Sequence, residues 1–308
     1  MVPNQGRFGS IGFGTQTAVG TAAATASQYL RINGGSSPTA SYQRVRDNYS
    51  NASVWMQPER TQGRSWQGKT INFEVELAGL VYMLTNMFGI PVGTAPALIT
   101  PANGNVYDNF VTTPLTTFWN YPGEPVKVVD TTMHSLQLTM NNRANWTGVL
   151  GLHGIDCQVL AAPGTPVLPI ADILQFRHHY IKVNGIIQKP ESSSVNFDIP
   201  MAPLDAAVGT TPAIADLIYG FERTTASALS GSLTVAGIST TLRDNYKNGV
   251  NNNAVIGWKI GTKTLEILIP YLEVNMAEVP NTTDRIATPY SWTAVSPDGT
   301  SPFTITIA

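Results

Sequence analysis

The residues of this sequence whose types could support chemistry are few and stand apart. His178 and His179 are neighbours in a segment with the alternation of a strand, and successive residues of a strand point to opposite faces of the sheet. The two imidazoles therefore cannot easily bind one metal ion together. His134 and His153 each stand alone on predicted strands, and the chain has 1 cysteine, Cys157. We predict neither a metal site nor a disulfide framework.

Motifs of catalytic and nucleotide-binding sites are missing from the sequence. There is no HExxH pair, no GxSxG elbow and no P-loop, and the early glycines at 9, 12 and 14 do not form a GxGxxG fingerprint. Glu74 and Glu76 resemble a pair of carboxylates, but alternate exposed positions of an amphipathic strand produce the same spacing. We predict that the protein is not an enzyme and uses no cofactor.

The composition points to a protein that carries little charge on its surface. Hydrophobic residues make up 43% of the chain, enough for a sizeable core, and charged residues 12%, about half of the usual share. The net charge is −2, and no Lys/Arg cluster of the kind that neutralises phosphates is present. Two interpretations stay open: a β-protein rich in small residues, or a subunit whose surface is covered by neighbours in an assembly.

No membrane span or export signal is expected. The longest apolar run, from Leu77 to Val92, is interrupted by Thr85 and Asn86 and is too short to cross a bilayer. The first residues lack the charged and apolar regions of a signal peptide.

The element around which the chain is organised is a strand that turns into a helix. Over residues 69–77 apolar and polar residues alternate, which predicts a half-buried strand. Apolar residues then recur at helical spacing up to Gly89, which predicts a short helix with one buried face. The strand pattern is Ile71, Phe73, Val75 and Leu77 against Asn72, Glu74 and Glu76, and the helix pattern is Leu80, Met83, Leu84 and Met87.

The same design returns at Ala228–Val250. Superposing Ala78-Gly79 on Ala236-Gly237 matches Val75 to Leu233 and Leu77 to Val235. This match suggests an internal duplication. The remaining segments are mostly alternating strands, which predicts a mostly β fold of sandwich-like units, each with one short helix.

The predicted organisation is an extended arm over residues 1–28 with little core of its own, followed by two related β domains at 29–165 and 166–308. The boundary is placed in residues 161–170, which hold three prolines and a glycine. A long loop is predicted over Gly34–Asn51. The last two strands, Tyr290–Val295 and Pro302–Ile307, are expected to form a hairpin.

Taken in order, these segments are similar to a known family. They are the opening GFGTQTAVGTAAAT, the unit INFEVELAGLVYMLTNMFG, the long strands VKVVDTTMHSLQLTMN and TLEILIPYLEVNMAE, and the end PFTITIA. The arrangement resembles the tail tube proteins (major tail proteins) of long-tailed bacteriophages. The chain is about twice as long as many of those proteins, which agrees with a duplication.

The resemblance implies a structural virion protein whose β-sandwich units form rings with an inner β-barrel. The rings would stack into the tube that conducts double-stranded DNA, without binding it specifically, and would be assembled in the host cytoplasm. Expected partners are further copies of the chain, with a trimeric ring favoured over a hexamer, and other tail proteins (tape measure, terminator and distal tail protein). Glu74 and Glu76 are the candidates for lining the channel.

Two other functions are weighed beside the tail tube. One is another phage structural β-sandwich, such as a capsid decoration or head–tail joining protein. The other is a carbohydrate-binding or adhesive β-protein, which would be expected to carry an export signal.

Overall fold

The computed structural model describes the backbone of residues 10–35, 41–45, 60–93, 96–99, 114–120, 125–160, 165, 173–188, 190–205, 218–223, 228–236, 240–276, 287–296 and 301–308. The described chain is mostly β, with two α-helices and one large antiparallel sheet, which confirms the predicted fold class at that level. The predicted domain boundary at residues 161–170 lies outside the described residues except for position 165, so the division into two domains stays a prediction.

The described part of the first half contains nine strands and one α-helix: β1 (Ser10–Thr15), β2 (Gln28–Gly35), β3 (Ser41–Val45), β4 (Arg60–Glu74), α1 (Leu77–Phe88), β5 (Ala97–Ile99), β6 (Leu115–Asn120), β7 (Val126–Asn141), β8 (Thr147–Gly154) and β9 (Asp156–Val159). The second half contains β10 (His179–Val183), β11 (Ile186–Gln188), β12 (Pro190–Asp198), β13 (Met201–Asp205), β14 (Ile218–Arg223), β15 (Ala228–Ala236), α2 (Thr240–Lys247), β16 (Asn252–Ile260), β17 (Lys263–Met276), β18 (Ala287–Ala294) and β19 (Thr304–Ile307).

Helix α1 forms where the sequence predicts it. Strand β4 ends at Glu74, and the helix ends before Gly89, whose φ of 115° is open to glycine and strained for other residues. The Gly89 N–H donates to the Thr85 carbonyl at 2.9 Å. The apolar face of α1 is buried, and its last residue, Phe88, packs against Phe197 and Phe303 with ring centroids 5.5 and 5.1 Å apart. Helix α1 therefore ties the two halves of the chain together.

The sheet runs across the middle of the sequence without a break. Of the described strands, seventeen form one sheet, and β13 and β14 form a separate antiparallel pair. Strand β7 pairs with β12, and β5 pairs with β19. Strands from the two halves are thus hydrogen-bonded neighbours.

The order of strand pairing is the same in both halves. In the first half the pairings close a circuit, β1–β2–β4–β8–β7–β6 and back to β1. In the second half β11 and β12 together take the place of β2. The pairings there run β10–β11, then β12–β15–β18–β17–β16 and back to β10.

Irregularities in the pairing occur at the same places in the two circuits. Between β2 and β4 the register shifts between Ile32 and Gly34, and between β12 and β15 it shifts between Pro190 and Ser192. A second shift, between β6 and β7, has its counterpart between β16 and β17. Bulges are specific local features of a sheet, so these coincidences fix which residues correspond.

The correspondence differs from the one that the sequence suggests. Ile32 pairs with Phe73 and Pro190 pairs with Val235 on the same side of the matching shift, so Phe73 corresponds to Val235. The superposition of the two Ala-Gly pairs, which matches Leu77 to Val235, is therefore wrong in register. Under this correspondence the last residue of β4, Glu74, matches the last residue of β15, Ala236, while α1 begins at Leu77 and α2 at Thr240.

The start of the chain contributes more to the core than expected. Within residues 1–28, predicted to be an arm with little core, β1 pairs with both β2 and β6, and Ile11 and Phe13 are fully buried. The glycine-rich pattern hides this strand because its apolar residues are few. Gly12 and Gly14 are needed, since a Cβ on either would lie within 3 Å of neighbouring atoms.

Two further predictions from the sequence differ from the structure. The loop predicted over Gly34–Asn51 contains β3, which pairs with β4; residues 36–40 and 46–51 lie outside the described part. The hairpin predicted at the C-terminus is wrong: β18 and β19 pair with successive parts of β17, and β19 also with β5. Among the residues described, no helix has the length and apolar character needed to cross a membrane.

Candidate assembly face

Seven neighbouring strands share one outward surface of small polar side chains, which we call the polar face. The strands lie in the order β4–β8–β7–β12–β15–β18–β17. Two rows of directly opposed residues cross all seven strands. The first row is Glu74, Thr147, Thr139, Ser194, Ser232, Ser291 and Asn275, and the second is Asn72, Val149, Gln137, Asn196, Ser230, Thr293 and Glu273.

The other side of the same strands is the core. Leu136, Leu138, Val195 and Phe197 are fully buried on β7 and β12, at positions that alternate with the two polar rows. Since residues of a strand alternate between faces, the polar face is the regular consequence of amphipathic strands joined in register. Its extent across both halves follows from the β7–β12 pairing.

Two aromatic residues on the core side lie over glycines of the neighbouring strand. A Cβ on Gly148 would lie 2.2 Å from the Phe73 ring, and one on Gly231 would lie 2.4 Å from the Trp292 ring. Phe73 and Gly148 are opposite each other, and so are Gly231 and Trp292. Sequence reasoning did not find these contacts, because the glycine and the ring are far apart in the chain.

The charged residues in the two complete rows, Glu74 and Glu273, are both negative. Besides Glu74 and Glu273, a further row holds Asp198, which lies opposite Ser135 on β7; neither of the two complete rows contains Lys or Arg. Between strands the contacts are neutral hydrogen bonds, such as Ser194 Oγ to Ser232 Oγ at 2.8 Å. Such a surface offers phosphate groups no cation to bind.

The structure separates the two predicted channel residues. Glu74 is half-buried and lies on the polar face, opposite Thr147. Glu76 is only 1% exposed, and its Oε1 lies 3.3 Å from Arg31 Nε in an ion pair. The strand has ended before Glu76, and the turn into α1 carries this side chain inward, so Glu76 is not on the surface shared by the polar rows. The assignment of Glu74 to a channel stays a prediction.

The histidines lie inside or beside the core rather than in one site. His134 and His153 stack on each other with centroids 4.1 Å apart, and burial lowers the pKa of each to about 4. His179 packs on Trp146 and Trp258, and its Nδ1–H donates to the Gly257 carbonyl at 3.1 Å. Burial lowers its pKa to about 4.

His178, the neighbour of His179, lies elsewhere. Its Nδ1 accepts the Gln175 N–H at 3.1 Å, in the turn before β10. The two side chains of this pair thus have different partners.

Two kinds of small-ligand site are relevant to the described chain, a metal-binding cluster and an enclosed pocket. No group of three or more His, Cys, Asp or Glu side chains that could hold a metal ion occurs there. A cavity of about 20 Å³ inside the second circuit is lined by apolar residues, among them Ile181, Val274 and Trp292. This volume is far below that of ligand pockets, roughly 300–1,000 Å³.

Comparison with known proteins does not assign the chain to a family. No protein-family model matches the sequence, and no curated protein is significantly similar to it.

Proposed function

We propose that this chain is the tail tube protein of a long-tailed bacteriophage, a structural virion protein whose stacked rings conduct DNA into the host. The observation that carries the proposal is the polar face. Its two complete rows cross seven hydrogen-bonded strands and consist of Ser, Thr, Asn and Gln, one valine, and the carboxylates Glu74 and Glu273 as their only charges. A channel for DNA needs such a wall, because cations would hold the phosphates and a net negative surface repels them weakly.

The repeated circuit supports the form of the assembly. We propose that each circuit is one sandwich-like unit of the tube and that the chain is a fused pair of such units. Together β4, β8, β7, β12, β15, β18 and β17 then supply one arc of an inner β-barrel. Three chains carry six circuits, and the diameter of a barrel follows from its number of strands. A ring of three chains is therefore the proposed unit, stacked into a tube and joined to other tail proteins at its ends.

The first test concerns assembly. Concentrated protein should form rings or tubes in negative-stain images, and isolated rings should have a mass of about 100 kDa, three times the chain mass of 33.1 kDa. About twice that mass indicates six chains and removes the fused-pair argument. Protein that stays monomeric under all salt and temperature conditions contradicts the tail tube assignment, and glycan binding by such monomers supports an adhesive protein instead.

The second test concerns the channel wall. Glu273→Lys places a cation on the polar face, and Asp244→Lys makes the same charge change on helix α2, away from that face. Tubes of the Glu273→Lys variant should retain short double-stranded DNA at low salt and release it as salt is raised, while wild-type and Asp244→Lys tubes retain none. Equal retention by the two variants would show that the polar face does not line the channel.

A further inference from the structure

The joint between the two circuits inside one chain is made by β7 and β12. The Ile199 N–H donates to the His134 carbonyl at 2.7 Å, so alternate residues of β7 from His134 onward direct their backbone groups to β12. Phe197, Val195 and Ser193 lie opposite Leu136, Leu138 and Met140. By the correspondence between circuits, β17 takes the place of β7 and β2 takes the place of β12. A second joint of the same kind would therefore need β17 and β2.

The end of β17 has an open edge. The Val295 N–H donates to the Tyr271 carbonyl at 3.0 Å, which directs the backbone groups of Tyr271, Glu273 and Asn275 to β18. Those of Val274 and Met276 point to the opposite edge. On that edge the pairing with β16 stops at Leu272, opposite Asn252. Within the described chain no strand follows β16 there.

Strand β2 has an open edge at the corresponding place. The Val75 N–H donates to the Trp146 carbonyl at 3.1 Å. Because backbone groups alternate along a strand, those of Ile71 and Phe73 also point to β8, and the backbone groups of Asn72 point to β2. Gly35 lies opposite Ile71, and its N–H and C=O therefore face away from β4. Ser193, which holds the corresponding position in β12, faces β7 instead. Among the described strands, none covers this edge of β2 at Gly35.

We propose that the end of β17 in one copy pairs antiparallel with the open edge of β2 in the next copy, in the arrangement of the β7–β12 joint. This inference rests on the ring assembly proposed above and names the edges that close it. The occupant is a second copy because the chain itself already contains the joint once, and because the two open edges lie at opposite ends of the sheet: β17 ends the seven-strand row, and β2 lies beside β4 at its other end. Such a head-to-tail contact is heterologous, and repeated by a fixed rotation it closes a ring. Exposed strand edges are ready templates for this pairing.

Hydrogen exchange of the wild-type protein tests the joint. The amides of Val274, Met276 and Gly35, which face the two open edges, should exchange at least about 10-fold more slowly in rings than in dilute monomers, because exchange then requires opening of the joint. The Glu273 N–H, which faces β18 within one copy, serves as the internal reference and should change little.

A proline variant tests the same edge by assembly. Met276→Pro removes an edge-facing N–H while leaving the bonds to β18 in place. It should raise the concentration for half-maximal ring formation at least about 10-fold. Val159→Pro on the outer edge of β9 is the matched control and should assemble as the wild type does. Circular dichroism checks that both variants fold, and if Met276→Pro does not, the exchange comparison decides.

The outcomes separate this joint from the proposed function. Rings and tubes in which the amides of Val274 and Met276 exchange as fast as in monomers overturn the β17–β2 joint and leave the tail tube assignment standing. Equal loss of assembly in Met276→Pro and Val159→Pro also overturns it, because the effect would not be specific to this edge. Absence of rings in the wild type removes the joint together with the proposed function.

Discussion

His179, whose imidazole packs on Trp146 and Trp258, should make the stability of the protein fall as the pH is lowered. Its pKa is lowered from 6.5 to about 4 by burial, so between these values the unfolded chain binds a proton that the folded chain does not. Stability is therefore full above pH 6.5 and declines as the pH falls toward 4. Protonation of His179 in the unfolded chain stabilises the unfolded state. From these two pKa values, it lowers the free energy of unfolding by about 2 kcal/mol at pH 5 relative to pH 8.

The substitution His179→Asn isolates this contribution. Asparagine keeps a donor for the Gly257 carbonyl but does not titrate. The variant will be less stable at pH 8, because the imidazole also packs on Trp146 and Trp258. Its loss of stability between pH 8 and pH 5 should nevertheless be smaller than that of the wild type by about 2 kcal/mol.

Urea unfolding followed by tryptophan fluorescence, at a protein concentration where mass photometry shows monomers, measures this difference. His178→Asn is the control. His178 is far less buried and its pKa is lowered less, so its loss should leave the pH dependence nearly unchanged. If wild type and His179→Asn lose equal stability between pH 8 and pH 5, the assignment of a buried neutral imidazole to His179 is incorrect.

Two further predictions follow from the placement of particular residues. Glu76→Gln should lower the free energy of unfolding by about 1–3 kcal/mol, because it leaves the Arg31 guanidinium without its buried partner. Glu74→Gln on the polar face should change the free energy of unfolding by less than about 0.5 kcal/mol. Equal effects of the two variants in urea unfolding would contradict this distinction. Deletion of residues 1–20 should destabilise the first circuit, since it removes Ile11 and Phe13 from the core; a truncated protein that keeps the wild-type melting temperature would show that β1 is dispensable.

The strand and helix around residues 69–89 could be predicted because their signals are local. The alternation of Ile71 and Phe73 with Asn72 and Glu74 is enough to define a buried and an exposed face, and both core residues are fully buried. The helical spacing of Leu80, Met83 and Leu84 likewise predicts a buried helix face, which α1 has. The low charge and the polar, outward half of these strands are also properties of the sequence alone.

Other features depend on contacts between distant parts of the chain. Glu76 continues the alternation of the strand, but the backbone turns into α1 before it, and the partner that accepts its charge, Arg31, lies on β2. Strand β1 has a weak pattern of its own and is held by β2 and β6 on both sides. Neither outcome can be derived from the spacing of neighbouring residues.

The sequence by itself determined which segments are amphipathic, because periodicity depends on each segment alone. Only the tertiary structure decided which strands become neighbours and in what register. A strand can form its backbone hydrogen bonds with the edge of any other strand, and a shift of the pairing by one residue exchanges the two faces of the strand. That is why the repeat was visible in the sequence but its register, Phe73 with Val235, became apparent only from the bulges of β2 and β12. The continuity of the polar face from β4 to β17 was decided in the same way, by the pairing of β7 with β12 across the middle of the chain.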